Sequence, residues 1–466
     1  MPHYFHFLKL PAEIRDHIYS FYFKPVDRLV PNGLECDCED SKGGGFYKFD
    51  FAIYSVNKQI KTEAEDVFRR ENVFVKIETP WPQAEHHISH EGLVPLVCKT
   101  PAAEGFKHAQ MTLQISAPLH SFLPQHTLVV LLDDLPLFCD VWFYSSLNYR
   151  TLNEHLKVEF TLHDPYYPAD PKPIPLKLQR KLLGPFDAVK GLYEVQVNGF
   201  EEEVERELRV GMAVPYITPG QSLEASASLM EAGDQAIANG RAQEALDLFI
   251  KSFHAIHIVI KGRTRRVLAD SFFDDEIEEG RFKGQAGMTM RIILRINLVS
   301  RTVGAYLKLA QWAEAAFWGI RSINMLRRGI DTEFESFLGE LVAVSDIGLL
   351  YLRTGIAVSK MEDSGDAELE KWRDEPFDTD MTRSVNLFGA SRKYLKGKDR
   401  ALIQKELDEY GVGEGVFEND EGSASASASR SDVDSLAPMD RAVADAVEGL
   451  QLDEDGLPEA EGSVWS

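Results

Sequence analysis

Apolar residues change their spacing partway along the chain, and no other feature limits the fold as much. Between residues 111 and 210 they come in short β-rich runs, at 111–115, 127–132, 141–144 and 156–162, which predict the strands of a sheet. From Leu223 onward the interval is helical, and strands are expected to vanish. At 466 residues the chain also exceeds the size at which one hydrophobic core keeps growing, so two or three folded units are expected.

Ahead of the sheet, Pro11 suits the first turn of a helix, where its missing N–H is harmless, and Ile14, Ile18 and Phe21 or Tyr22 then recur about one turn apart. This predicts a short amphipathic helix. Residues 31–50, with Pro31-Asn32-Gly33, an acidic cluster and Gly43-Gly44-Gly45, predict a loop. Ile53, Val56, Ile60, Ala64, Val67 and Phe68 predict a second helix, and residues 72–77 alternate like a strand. Leu10, Ile14, Ile18 and Phe21 are expected to pack on Ile60, Ala64 and Phe68, so that a charge at position 14 would unfold the pair.

The run Leu10-Pro11-Ala12-Glu13-Ile14-Arg15-Asp16-His17-Ile18-Tyr19, followed by Val56-Asn57-Lys58-Gln59-Ile60-Lys61-Thr62-Glu63-Ala64 and Phe68-Arg69-Arg70-Glu71-Asn72-Val73-Phe74, resembles a group of fungal F-box-like proteins. The resemblance covers about the first 77 residues and extends weakly to about residue 200. It implies an adaptor whose opening helix, with Leu10, Pro11, Ile14, Ile18 and Tyr19, docks on the Skp-type linker of a cullin ubiquitin ligase. The second helix here follows a glycine-rich insert, which departs from a contiguous F-box.

Past the sheet runs, the proline-rich stretch 165–173 must leave any sheet because proline cannot donate to a ladder. Residues 176–189 predict a helix, and Tyr193-Glu194-Val195-Gln196-Val197 an alternating strand that ends at Asn198-Gly199. In the helical half, Gly233, Ala245 and Phe249 stand 12 and 16 apart, a register that resembles a tetratricopeptide repeat. Tyr306, Trp312 and Ala315 repeat the scheme, and Gly348, Tyr351 and Gly355 begin a third unit in which Lys360 replaces the expected alanine. Within the acidic, glycine-bearing insert 274–287, Asp274-Asp275-Glu276 is expected to be a solvated loop.

Formal charge is −24, of which residues 413–466 carry −12 from 14 acidic and 2 basic residues. That segment, rich in glycine, serine and alanine, is expected to be disordered, with Met439, Val443, Val447 and Leu450 marking one face of a transient helix. The remaining acidity gives no electrostatic reason for nucleic acid binding, and no apolar run approaches the roughly 20 residues of a membrane span. Four cysteines, Cys36, Cys38, Cys98 and Cys139, are too few for a disulfide framework and suit a reducing compartment. The N-terminus reads as unprocessed.

No catalytic constellation emerges. His86, His87, His90 and Glu91 are expected in a solvated loop rather than on zinc, Cys36-Asp37-Cys38 lacks a second hook, and Asp133-Asp134 reads as a strand-end turn. The basic run 261–266 is expected to be a solvated helix end, with a nuclear address or a site for an acidic partner as the alternatives. One of Trp312, Phe317 and Trp318 is expected to line a groove, and the others the core.

The expected organisation is therefore an α+β N-terminal half, an F-box-like motif region over 1–84 and a mixed or antiparallel sheet region over 85–210. A tetratricopeptide-like all-α region over 220–412 and a disordered acidic tail over 413–466 follow. The expected function is a non-catalytic protein-interaction adaptor, intracellular and cytoplasmic or nuclear, without cofactor or metal. The partners expected are proteins, a Skp-type linker among them, and neither nucleic acid nor membrane. A ligase substrate receptor is the first alternative and an enzyme of unrecognised type the second.

Overall fold

The computed structural model describes residues 7–30, 44–120, 124–167, 170–328, 344–374, 379–395 and 400–412. The acidic tail, its apolar stripe and the Cys36-Asp37-Cys38 pair lie outside them. The chain divides between Tyr216 and Ile217 into two units.

In the first unit α1 (Ala12–Tyr22) leads to a two-stranded pair, β1 (Leu29–Val30) with β2 (Phe46–Tyr47). Part of the expected loop is thus a short antiparallel strand pair. Asn57 then caps α2 (Lys58–Glu71), its side chain accepting the Ile60 N–H at 2.9 Å. Tyr19, Phe23, Ile60, Ala64 and Val67 close a small core between the two helices.

The main sheet is mixed and six-stranded, built from β3 (Phe74–Thr79), β4 (Cys98–Lys99), β5 (Ala109–Ser116), β6 (His126–Leu131), β7 (Lys157–Leu162) and β8 (Glu194–Asn198) in the order β4-β6-β3-β5-β7-β8. Alternation decides its faces. In register, Ile77 stands beside Leu113 and Leu128, and Leu113 beside Phe160. That face is covered by α3 (Leu135–Asn148), α4 (Leu176–Leu183) and α5 (Glu202–Ala213) through Phe138, Trp142, Leu182, Val204 and Leu208. On the other face Phe74, Val129 and Leu131 meet Phe49, Phe68 and Phe106.

Residues 141–144, expected as a strand, lie inside α3. Its aromatic and β-branched residues suit a strand locally, but burial against the sheet outweighs that preference, and Trp142 is held further by donating to Asn153 Oδ1 at 2.9 Å.

Among its described residues the second unit is helical except for one two-stranded hairpin. Helices α6 (Pro219–Ala238) and α7 (Ala242–Ala255) form an antiparallel pair, as do α8 (Gly287–Lys308) and α9 (Trp312–Arg328). Between these pairs β9 (Ile258–Lys261) and β10 (Thr264–Val267) turn at Gly262, whose φ of +59° glycine accepts without strain. Strands therefore do not vanish after Leu223; basic side chains had hidden the alternation of Ile258 and Ile260. Helices α10 (Val344–Ser364), α11 (Ala367–Asp374), α12 (Ser384–Tyr394) and α13 (Arg400–Tyr410) follow among the described residues. Within the insert 274–287, Asp274, Asp275 and Glu276 are exposed, while Ile277 and Phe282 are buried.

Candidate functional site

Helix α1 carries two apolar faces, and among the described residues only one is covered. The covered face is polar at its centre: Arg15 donates from Nε to Glu63 Oε2 at 2.8 Å and from Nη2 to Oε1 at 2.6 Å, and the Tyr19 hydroxyl donates to Oε2 at 3.0 Å. The Arg15 guanidinium holds the Glu63 carboxyl down at about 2, against a usual value near 4.5. Burial and the hydrogen bond to Glu63 push the Tyr19 hydroxyl up to about 12. This forked pair fixes the rotation of α1 on α2.

That rotation corrects an expectation. Ile14, Ile18 and Phe21 are 48, 37 and 62% exposed, while Tyr19 is fully buried and Leu10 half-buried. The helix pair is sealed by Arg15, Tyr19 and Phe23, not by Ile14, Ile18 and Phe21. Of the residues expected on the docking face, Pro11, Ile14 and Ile18 are exposed, and Tyr19 belongs to the core. Sequence reading missed Glu63 as the partner of Arg15, since a carboxylate beside Ala64, at the edge of the Ile60 and Ala64 stripe, reads as the solvated flank of a helix. The exposed stripe is extended in sequence by Leu8 and Val26, both exposed.

The other groups singled out in the first unit are held by contacts within it. The Tyr47 hydroxyl donates to Asp134 Oδ2 at 2.8 Å, and burial pushes the Asp134 carboxyl up to about 6, Asp133 adding to the effect. His86, His87 and His90 lie on a short helical turn rather than a loop; His87 Nε2 is 2.8 Å from Ser145 Oγ, and His87 Nδ1 meets Glu91. Among the described residues no group of three or more His, Cys, Asp or Glu is placed to hold a metal ion.

In the helical unit, Gly233 is where α6 and α7 touch: a Cβ there would lie 2.3 Å from Phe249 Cε1, and Ala245 is fully buried beside it. Tyr306 and Ala315 are buried on α8 and α9, but the position matching Phe249 is Gly319, which lets Thr354 of α10 approach instead. Gly348 and Tyr351 lie on α10 against α12, where a Cβ at Gly348 would be 2.4 Å from Leu395 Cγ and the Tyr351 ring stacks on Tyr394 at 5.7 Å.

Four described helix ends of this unit share one geometry, with Gly240, Ala310, Gly365 and Gly411 at positive φ and the next N–H reaching back to the carbonyls of Ala236, Tyr306, Met361 and Leu407; the first three are turns between paired helices. These turns fix the register of the hairpins. Since α10 runs unbroken through Gly355 to Ser364, the third turn falls at Gly365, and Gly348 and Lys360 do not occupy the register expected of them.

Trp318 is buried, Phe317 is half-buried, and Trp312 meets the Tyr410 ring edge-on at 6.1 Å. The basic run 261–266 is a hairpin rather than a helix end. Arg263 Nε donates to Glu314 Oε1 at 2.9 Å, pairs with Glu368 and lies over the Phe317 ring, while Arg265 is buried over Trp318. Among the described residues no helix is long and apolar enough to cross a membrane.

Comparison with protein-family models, with curated proteins and with solved structures finds no match.

Proposed function

We propose that the chain is a non-catalytic adaptor that docks a Skp-type ligase linker on the Ile14, Ile18 and Phe21 face of α1, acting as a substrate receptor. The observation that carries this is the orientation of α1. A helix locked through Arg15, Tyr19 and Glu63 has no need of three large apolar side chains on its outer side, and leaving them in water is unfavourable unless a partner covers them. The motif containing Ile14 and Ile18 is also the part that resembles the docking helix of F-box-like proteins.

The helical unit supports the adaptor side of the reading. Its recurring hairpin turns and small-residue crossings are what a tetratricopeptide-like array uses to stack, and such arrays present extended surfaces to peptides. Arg301 binds Asp234 of α6 at 2.9 Å and Asp346 of α10 at 3.4 Å, tying three first helices of successive hairpins in one ladder.

Mixing the purified chain with a purified Skp-type linker and following both by size-exclusion chromatography tests the proposal. Co-elution is expected. Separate elution at tens of micromolar, where a standard-size interface should hold, would remove the receptor reading.

A further inference from the structure

Away from the α1 stripe, the first unit contains a cleft of about 500 Å³ between the C-terminal end of α2, the end of β6 and the start of α4. Its floor is apolar, with Val73, Leu131, Leu132 and Leu178 half-buried or buried. Three cations stand around it: Arg70 from α2, and Lys177 and Lys181 one turn apart on α4. Arg70 reaches only a long contact, 3.7 Å, to Asp16, and both side chains are well exposed. Lys177 and Lys181 make no ion pair among the described residues, although neighbouring Arg180 is clamped by Glu203 and Glu207. Two acids, Glu71 and Asp133, share the rim.

We infer that this cleft binds an acidic peptide segment of a partner protein, seating one apolar side chain on the floor and carboxylates against Arg70, Lys177 and Lys181. The volume suits a ligand of drug-like or short-peptide size. Three features favour a peptide over a compact anion. The cations are exposed, so each pair with a carboxylate is screened and individually weak. They come from two helices, which spaces the charges as a chain spaces its side chains. The floor, finally, offers apolar burial that a bare anion cannot use. Glu71 and Asp133 then fix which positions along the segment must be neutral, and they repel a continuous polyanion such as nucleic acid.

The inference is independent of linker docking, because no cleft residue belongs to the Ile14, Ile18 and Phe21 face. Fluorescence anisotropy at low ionic strength tests it on the full chain with three labelled peptides: Asp-Glu-Asp-Leu-Asp-Glu-Asp, its Asn and Gln counterpart, and the version with Ser in place of Leu. Saturable binding of the first is expected, weakened at least about tenfold in the amide peptide and in the Lys177→Glu/Lys181→Glu variant, and weakened also by the Ser exchange. Both lysines are exposed, so the variant should melt like wild type, and linker co-elution should be unchanged. Equal binding of the amide peptide, undiminished binding by a folded charge-reversed variant, or no saturable binding would overturn the inference. So would a concentration-dependent dimer that the charge reversal abolishes, which would assign the face to a second copy of the chain.

Discussion

Arg15 and Glu63 lie 48 residues apart and meet through two parallel hydrogen bonds, Nε to Oε2 at 2.8 Å and Nη2 to Oε1 at 2.6 Å. The fork leaves one rotation open to α1, since turning the helix by one residue would pull Arg15 and Tyr19 off the same carboxylate. With that rotation fixed, the face bearing Ile14, Ile18 and Phe21 must point outward. A polar pair inside a small core thus determines where the apolar surface of this unit lies.

Exchanging Glu63→Gln should lower the melting temperature of the first unit and remove an acid-sensitive component of its stability. The Glu63 carboxyl sits near 2 when folded against about 4.5 when free, so its contribution is complete above about pH 4.5 and is lost as pH falls toward 2. Circular dichroism melts across that window check the difference. Parallel curves for wild type and variant would show that the pair does not couple to folding.

In the second unit a buried group titrates higher. Burial and the nearby Arg291 charge hold His257 down at about 4, against 6.5, so the unfolded chain takes up its proton first. The stability this group contributes is full above pH 6.5, falls between 6.5 and 4, and is flat below. His257→Asn, chosen because asparagine tolerates the φ of 58° at this position, should flatten that step, which amounts to roughly 3 kcal/mol. The difference between wild-type and variant melts isolates it from groups common to both.

At the second hairpin turn Ala310 adopts a φ of 54°, where Gly240 and Gly365 stand in the other two. Ala310→Gly should relieve that strain and stabilise the chain by about 0.5 to 1 kcal/mol, read as a higher denaturation midpoint, whereas Gly240→Ala should destabilise it by a similar amount. Glycine at 310 giving no gain would mean that the turn is not strained.

Where α6 crosses α7, a methyl group at position 233 would meet Phe249 Cε1 at 2.3 Å. Gly233→Ala should therefore cost about 1 to 3 kcal/mol, and Phe249→Leu should recover part of it in the double variant. Gln243→Ala, at an exposed position on α7, should be nearly neutral. Additive costs in the double variant would separate the two sites.

Much of the fold could be read in the amino-acid sequence where periodicity is strong. The strands at 111–116 and 157–162, the helix from Leu176, and the crossing of Gly233 with Phe249 all follow from patterns confined to a few residues. What escaped depends on contacts far apart in sequence. The 141–144 run is helical because of the sheet beneath it, and the basic side chains that mask the 258–267 hairpin are partnered far away in sequence, Arg263 by Glu314 and Glu368. The outward face of α1 was misassigned for the same reason: a stripe of Ile14, Ile18 and Phe21 looks like a core face until Glu63 is known to claim Arg15 on the adjoining side.

The docking face is tested most directly by one doubly substituted variant, Ile14→Asp/Ile18→Asp, followed in parallel by thermal melting and by capture of a purified Skp-type linker. Because Ile14 and Ile18 lie on the outer side of α1, 48 and 37% exposed, the variant should stay folded and lose no more than about 1 to 2 kcal/mol, while linker capture is lost. A melt lowered by several kcal/mol would place these residues in the core after all. An undiminished capture would show that the linker binds elsewhere, and the account of α1 as a docking helix would fail.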